Sequence, residues 1–223
     1  MFGIDIDRFL YTFSVAVIPI LFAITVHEVA HGRIARRLGD PTAERAGRLT
    51  LNPLKHIDPM GTVVVPLVML LLSGGAMVFG WAKPVPVIFQ NLRNPRRDMI
   101  LVAAAGPAAN LAMAMGWAVL AASQETLLGL PDPAATWLFR VCGWGILINS
   151  VLAVFNMLPV PPLDGGRVLA GLLPPAQAQI VHRIEPFGFM IVVGLMVTGV
   201  LWSLLEPFLF FFTDFFSTVA GFG

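Results

Sequence analysis

Charge is what this chain has least of. Of its 223 residues only 12% are Asp, Glu, Lys or Arg, while 57% are hydrophobic. Soluble domains average roughly 25% charged residues, so about half the charge needed to coat a water-facing globule is present. With a mean hydropathy of +0.82, a soluble enzyme is excluded and a polytopic membrane protein is expected. Cysteine is almost missing too. The single Cys142 falls inside an apolar run, which forbids an intrachain disulfide and leaves the redox compartment open. A net charge of +1 says nothing about nucleic acid, but no basic-aromatic surface motif is present and no nucleic-acid partner is expected. The N-terminus lacks the marks of a signal peptide: Asp5 and Asp7 outweigh Arg8, and no small-residue cleavage site follows. The opening helix is therefore expected to be retained. There is no internal repeat and no stretch large enough for a separate soluble domain.

What is present is a set of apolar runs, several within the roughly 17–25 residues that cross a bilayer. Residues 8–38 read as one long helix, apolar up to Val26 and basic after it, stopped by Gly39-Asp40-Pro41. Further clear spans are expected over 99–122, 137–158 and 187–205. The aromatic tail 207–223 reads as interfacial or partly inserted. Residues 47–52 and 77–88 carry the marks of extended chain, the second because prolines alternate with β-formers. Between them, 62–72 is apolar but only about 16 Å long as a helix, half a hydrocarbon core, and Ser73-Gly74-Gly75 breaks it. Residues 61–90 therefore read as a re-entrant unit. Basic side chains favour the cytoplasmic side. With 61–90 returning to the side it left, all of the fourteen lysines and arginines except Arg8 and Arg140 share one side. The expected fold class is an all-α polytopic bundle of four clear spans, with re-entrant or interfacial segments and short β-strands near the active site. One membrane-embedded domain is expected over 1–223, its core at about 8–170 and its C-terminal span and tail at 187–223.

Into the first of these spans is set His27-Glu28-Val29-Ala30-His31. HExxH on a helix puts two imidazoles one turn apart, both able to bind one metal ion. Glu28 lies about 100° round the helix from His27, placed to take a proton from a water beside the metal. Catalytic zinc takes three protein ligands and an open fourth position, so a third ligand is needed. The other histidines are His56 and His182; His56 reads as an interfacial loop residue and His182 as a surface residue beside Arg183. The best candidate is Asp164, in Asn156-Met157-Leu158-Pro159-Val160-Pro161-Pro162-Leu163-Asp164-Gly165-Gly166. A carboxylate at the embedded end of a span is costly and marks function, and the topology brings Asp164 to the side of His27 and His31. Its bland alternative is a helix cap in Asp-Gly-Gly turn chemistry. Asn156 is either a helix C-cap or a contact to substrate or a developing oxyanion. Asn110, in Gly106-Pro107-Ala108-Ala109-Asn110, is either a hydrogen bond between helices, with Gly106 allowing close packing, or a second substrate contact.

These motifs carry a resemblance. HEVAH in the first span, GPAAN in the second and NMLPVPPLDGG at the end of the third are similar to the site-2 protease family of intramembrane zinc metalloproteases, as is FGWAKPVPV. The match covers most of 20–170 and resembles the minimal members without PDZ or CBS domains. It implies zinc bound by His27, His31 and Asp164, a catalytic Glu28, and cleavage of a peptide bond in or beside a transmembrane helix of a membrane-protein substrate. A cytoplasmic-membrane location follows, with the active site toward the cytoplasm; the sequence is silent on oligomeric state. A transmembrane substrate must be unwound before hydrolysis, so an extended edge at 47–52 or 77–88 is expected to hold it by β-augmentation; a bulky or proline residue at Val85 or Val87 would then slow cleavage without loss of zinc. The rival reading is a metal transporter or metal sensor using His27, His31 and Asp164 as a transit site. It would want polar residues along a route through the bilayer, and here they gather at one end. A scaffold descended from an enzyme is a third reading, opposed by the intact ligand set.

Overall fold

A computed structural model describes residues 6–72, 80–128 and 131–222. The first helix, α1 (Ile6–Arg37), runs through Pro19 without a break and is about 48 Å long, enough to clear a hydrocarbon core of about 30 Å. Helix α2 (Thr42–Arg45) is a single turn behind Gly39, whose φ of 117° needs a residue without Cβ. A π-helical turn at Pro59–Val64 leads into α3 (Val65–Leu72). Two long apolar helices follow, α4 (Pro95–Leu128) and α5 (Ala134–Asn156). The chain ends with α6 (Asp164–Leu172), α7 (Pro175–Ile184), α8 (Gly188–Val197) and α9 (Val200–Ala220). Among the described residues five stretches are long and apolar enough to cross a membrane: Leu10–Arg37, Pro95–Gln124, Ala134–Asn156, Pro175–Val197 and Val200–Ala220.

Helices α1, α4 and α5 pack against one another, with α6 against α4 and α9 closing over α4 and α5. Lipid offers no hydrophobic drive between helices, so close approach of backbones must do the work. Small residues supply it: Ala114, Ala118 and Ala121 line one face of α4 and meet Cys142 and Ile146 of α5 and Phe216 and Ala220 of α9.

Two expectations need correcting. The span over 187–205 is not one helix. It breaks at Thr198-Gly199, where Gly199 sits at φ 77°, and α9 runs on through the expected interfacial tail to Ala220. No strand occurs among the described residues. Residues 47–52 form a turn held by side chains, His56 Nε2–H donating to the Thr50 carbonyl and the Leu54 N–H to Asn52 Oδ1. Residues 80–88 are neither helix nor strand, and their backbone groups bond to side chains and loops; 77–79 and the Ser73-Gly74-Gly75 break lie outside the described residues. The excursion that leaves at Gly61 is back at the same level by Trp81, whose N–H donates to the Gly61 carbonyl while its own carbonyl accepts from Thr62 Oγ1.

A second anchor fixes the far end of this segment. The buried Asp40 carboxylate accepts from the Thr42 hydroxyl and N–H, from Asn91 Nδ2 at 3.0 Å and from the Ile88 N–H at 2.7 Å. Burial alone would raise its pKa, but these four donors outweigh it and hold the carboxyl below its ordinary 3.8. A lowered pKa gives stability that is complete above the ordinary value and lost as pH falls toward the depressed one. Amide-exchange protection at Ile88 should therefore stay flat through neutral and mildly acid pH and collapse only below the usual aspartate range. A loss setting in higher would show that Asp40 is not the anchor.

Candidate metal centre

His27 and His31 project from the same face of α1 as HExxH requires, with ring centroids 4.6 Å apart and planes at 83°. Their Nε2 atoms are 3.0 Å apart, and Asp164 Oδ2 lies 3.3 Å from each. All three side chains are buried. Asp164 arrives on the first residue of α6, where the positive end of the helix dipole favours a carboxylate. That helix start can approach because Gly165 and Gly166 have no side chain. A Cβ on Gly165 would strike the carbonyls of Met157 and Leu158, and one on Gly166 the backbone of Pro161. The same holds at Gly106 of α4: a Cβ there would enter the space of the two imidazoles.

The hydrogen bonds behind the rings decide their tautomers. His31 Nδ1 is 2.7 Å from the Val102 carbonyl, which can only accept, so Nδ1 carries the proton. His27 Nδ1 is 2.6 Å from Asn110 Oδ1. Both hydrogens of Asn110 Nδ2 are committed, to the Ala23 carbonyl at 3.2 Å and to Asn149 Oδ1 at 2.9 Å, while Asn149 Nδ2 donates to the Gly145 carbonyl at 2.8 Å. Asn110 thus presents its oxygen to His27, and Nδ1–H donates there as well. With both imidazoles neutral, their Nε2 atoms present lone pairs to a buried Oδ2 that has no hydrogen-bond partner. In that state three lone pairs with no proton among them repel one another unless a cation sits between. Their separations, 3.0 to 3.3 Å, match the edge of a tetrahedron, about 3.3 Å, drawn with zinc–nitrogen bonds of roughly 2.0–2.1 Å. The donor set fits zinc, and the polar groups behind the rings are the kind that orient metal-binding histidines.

Of the other candidates, Glu28 is half-buried beside this cluster in sequence, and its Oε2 accepts from the Val85 N–H at 2.7 Å. Asn110 is fully buried behind His27 with both amide hydrogens spent on bonds between helices. Asn156 ends α5 half-exposed, its Nδ2 donating to the Leu152 carbonyl at 2.9 Å. Asp164 makes no cap of α6, whose start has no side-chain cap. His56 is buried in the 50–56 turn, away from the cluster, and His182 lies on the surface within 3.9 Å of Glu185. Asn149 and the Val102 carbonyl were not foreseen. An amide in the middle of the apolar run 137–158 was the signal for Asn149, since unpaired polar groups in a span are expensive; nothing in a sequence marks a backbone carbonyl.

The sequence profile of Peptidase family M50 matches residues 122–199, a stretch that includes Asp164 and Asn149 but not the HExxH helix. The protein YwhC of Bacillus subtilis (strain 168), provisionally named a zinc metalloprotease, is 38% identical over 209 residues, 90% of this chain and 91% of that protein. Rip2 of Mycolicibacterium smegmatis, named in the same way, is 34% identical over 200 residues, covering 87% of this chain and 71% of its own. A more distant similarity reaches MJ0611 of Methanocaldococcus jannaschii, of the same provisional name, at 27% identity over 157 residues and 70% of either chain. No solved structure matches the chain.

Proposed function

The chain belongs to peptidase family M50, the site-2 protease family of zinc metalloproteases, and from that premise we propose that it cuts membrane-spanning polypeptides in or beside their transmembrane helices. In this reading His27, His31 and Asp164 hold the zinc and Glu28 is the general base. The single observation that carries it is the meeting of the His27 and His31 Nε2 atoms with the orphaned Asp164 Oδ2 in one buried cluster. When bound, zinc supplies a Lewis acid and brings the pKa of water toward about 7.

The rest is done by the chain. Val102 and Asn110 hold both imidazoles in the ligand tautomer. The Val85 N–H keeps Glu28 Oε2 in place, leaving the other carboxylate oxygen to take a proton from the attacking water and hand it to the leaving amine nitrogen. Asn156 is the remaining candidate for a contact to the substrate backbone. A single domain over 1–223 suits this scheme, its core at about 8–170.

The membrane is the cytoplasmic one, with the site toward the cytoplasm. Support comes from the basic residues: Arg48 Nη2 donates to the Lys83 carbonyl, and Arg96 to the carbonyls of Gly171 and Leu173 at the end of α6. The cationic loops and the Asp164 helix thus meet at one end of the bundle, as the positive-inside rule wants. The protein reconstituted in bilayers with a single-span substrate should cut it, stop when a zinc chelator is added and resume when zinc is returned. Cleavage that survives chelation would refute the reading, and zinc moved across the bilayer without any cut would favour a transporter.

A further inference from the structure

Arg48 takes no part in the site described so far, and its position is an expensive one. Its side chain is only 8% exposed. It enters no ion pair among the described residues, and its Nε is buried without an acceptor. A guanidinium taken out of water without a carboxylate carries a desolvation penalty that neutral dipoles offset only in part. What it does touch is the segment 80–88. Nη2 donates to the Lys83 carbonyl at 2.7 Å and, more distantly, faces the Pro84 carbonyl at 3.5 Å.

The peptide that begins with the Pro84 carbonyl ends with the Val85 N–H. It is trans, since the cis bonds of the described residues precede Pro133 and Pro162, and in a trans peptide C=O and N–H point opposite ways. The carbonyl faces Arg48; the N–H faces Glu28 Oε2 at 2.7 Å. One peptide plane therefore has a buried cation on one side and the candidate base on the other. Its neighbours leave it little freedom. The Lys83 N–H is held by the His56 carbonyl at 2.9 Å, Pro84 fixes its own φ, and the Val85 side chain lies against Gly32, where an added Cβ would meet Val85 Cγ1 at 2.9 Å.

We propose that Arg48 is a positioning residue for Glu28: by clamping the Lys83 and Pro84 carbonyls it aims the Val85 N–H at the carboxylate and holds it in one orientation. The inference rests on the reading of Glu28 as the base. The positive charge also polarises the peptide it grips, which strengthens the N–H as a donor. Without it, the peptide turns and Glu28 is released to other rotamers, while the metal ligands, held by Asn110 and Val102, are untouched. The effect therefore falls on kcat, with KM and zinc content spared.

The test uses the full chain in bilayers cutting a single-span substrate. Three changes are compared: Arg48→Met, Arg48→Lys, and replacement of the Val85 amide by an ester, which deletes the N–H and weakens the Pro84 carbonyl as an acceptor. Arg48→Met and the ester should each lower kcat about 10- to 100-fold at unchanged KM and zinc per chain, and Arg48→Lys should recover part of the loss. In a Glu28→Asp background, whose shorter carboxylate no longer reaches Val85, Arg48→Met should cost little more, because the two changes break one interaction. A zinc-loaded Arg48→Met or ester protein at the wild-type kcat overturns the proposal, as does an equal loss in the Glu28→Asp background. Should Arg48→Met fail to fold, the ester decides alone. An inactive Glu28→Gln protein beside a fully active Arg48→Met one sinks the clamp only; an active Glu28→Gln protein sinks the reading of Glu28 and the clamp with it.

Discussion

Cells whose only copy carries Glu28→Gln should accumulate uncut single-span membrane stubs, while the purified variant keeps its zinc. The amide preserves the size of the side chain and can still meet the Val85 N–H through its oxygen, so the fold and the metal cluster lose nothing they depend on. What is lost is the proton acceptor. General acid–base groups contribute about 10²- to 10⁴-fold, and here one group serves in both directions, so cleavage should fall by at least that factor. Comparative proteomics of wild-type and Glu28→Gln membranes reads the outcome directly and also names the substrates. A membrane proteome identical in both strains would mean that cleavage is not what Glu28 does. Loss of zinc from the variant would make Glu28 a ligand instead.

Gly106→Ala should be nearly as damaging, though a single methyl group is added and no chemical group removed. Its Cβ would be driven into the rings of His27 and His31, which cannot retreat, since each is held from behind at Nδ1 by Asn110 or Val102. Overpacking of this kind forces side chains off their rotamers, and here the displaced side chains are the ligands. Metal binding should weaken about 10- to 100-fold, the range seen when groups supporting a metal site are disturbed, with cleavage falling in step. Gly116 of the same helix is the control: nothing lies within 4 Å of a Cβ placed there, and glycine-to-alanine in a helix is otherwise favourable by up to about 1 kcal/mol. Gly116→Ala should therefore bind zinc and cut as the wild type does. Equal behaviour of the two variants would mean that α4 does not press on the imidazoles.

The pairing of His27 and His31 on α1 was legible because HExxH is a statement about one helix, and helix periodicity alone turns four residues of spacing into a shared face. Asp164 was legible at one remove, through charge and topology. The amide chain from Asn149 to Asn110 to His27 was not, because which side of α4 and α5 faces α1 depends on how three helices pack. For Asn110 the sequence left two roles standing, and packing shows the hydrogen bonds between helices. The break at Gly199 was hidden for a different reason: hydropathy runs smoothly through Val197-Thr198-Gly199-Val200, and only the backbone angle at Gly199 separates α8 from α9. The prolines at 84 and 86 marked 80–88 as a stretch that is not helix. That did not make it a strand, because a strand needs a partner and this segment bonds to Glu28, Asp40, Arg48 and the loops beside them.

Zinc per chain in purified Asp164→Ala protein, beside the wild type and His27→Ala, tests most directly the claim that two imidazoles and one distant carboxylate share an ion. The wild type should hold one zinc, and both variants should lose it after mild dialysis, with intact helical content showing that the bundle still stands. An Asp164→Ala protein that keeps its zinc as firmly as the wild type would contradict the account.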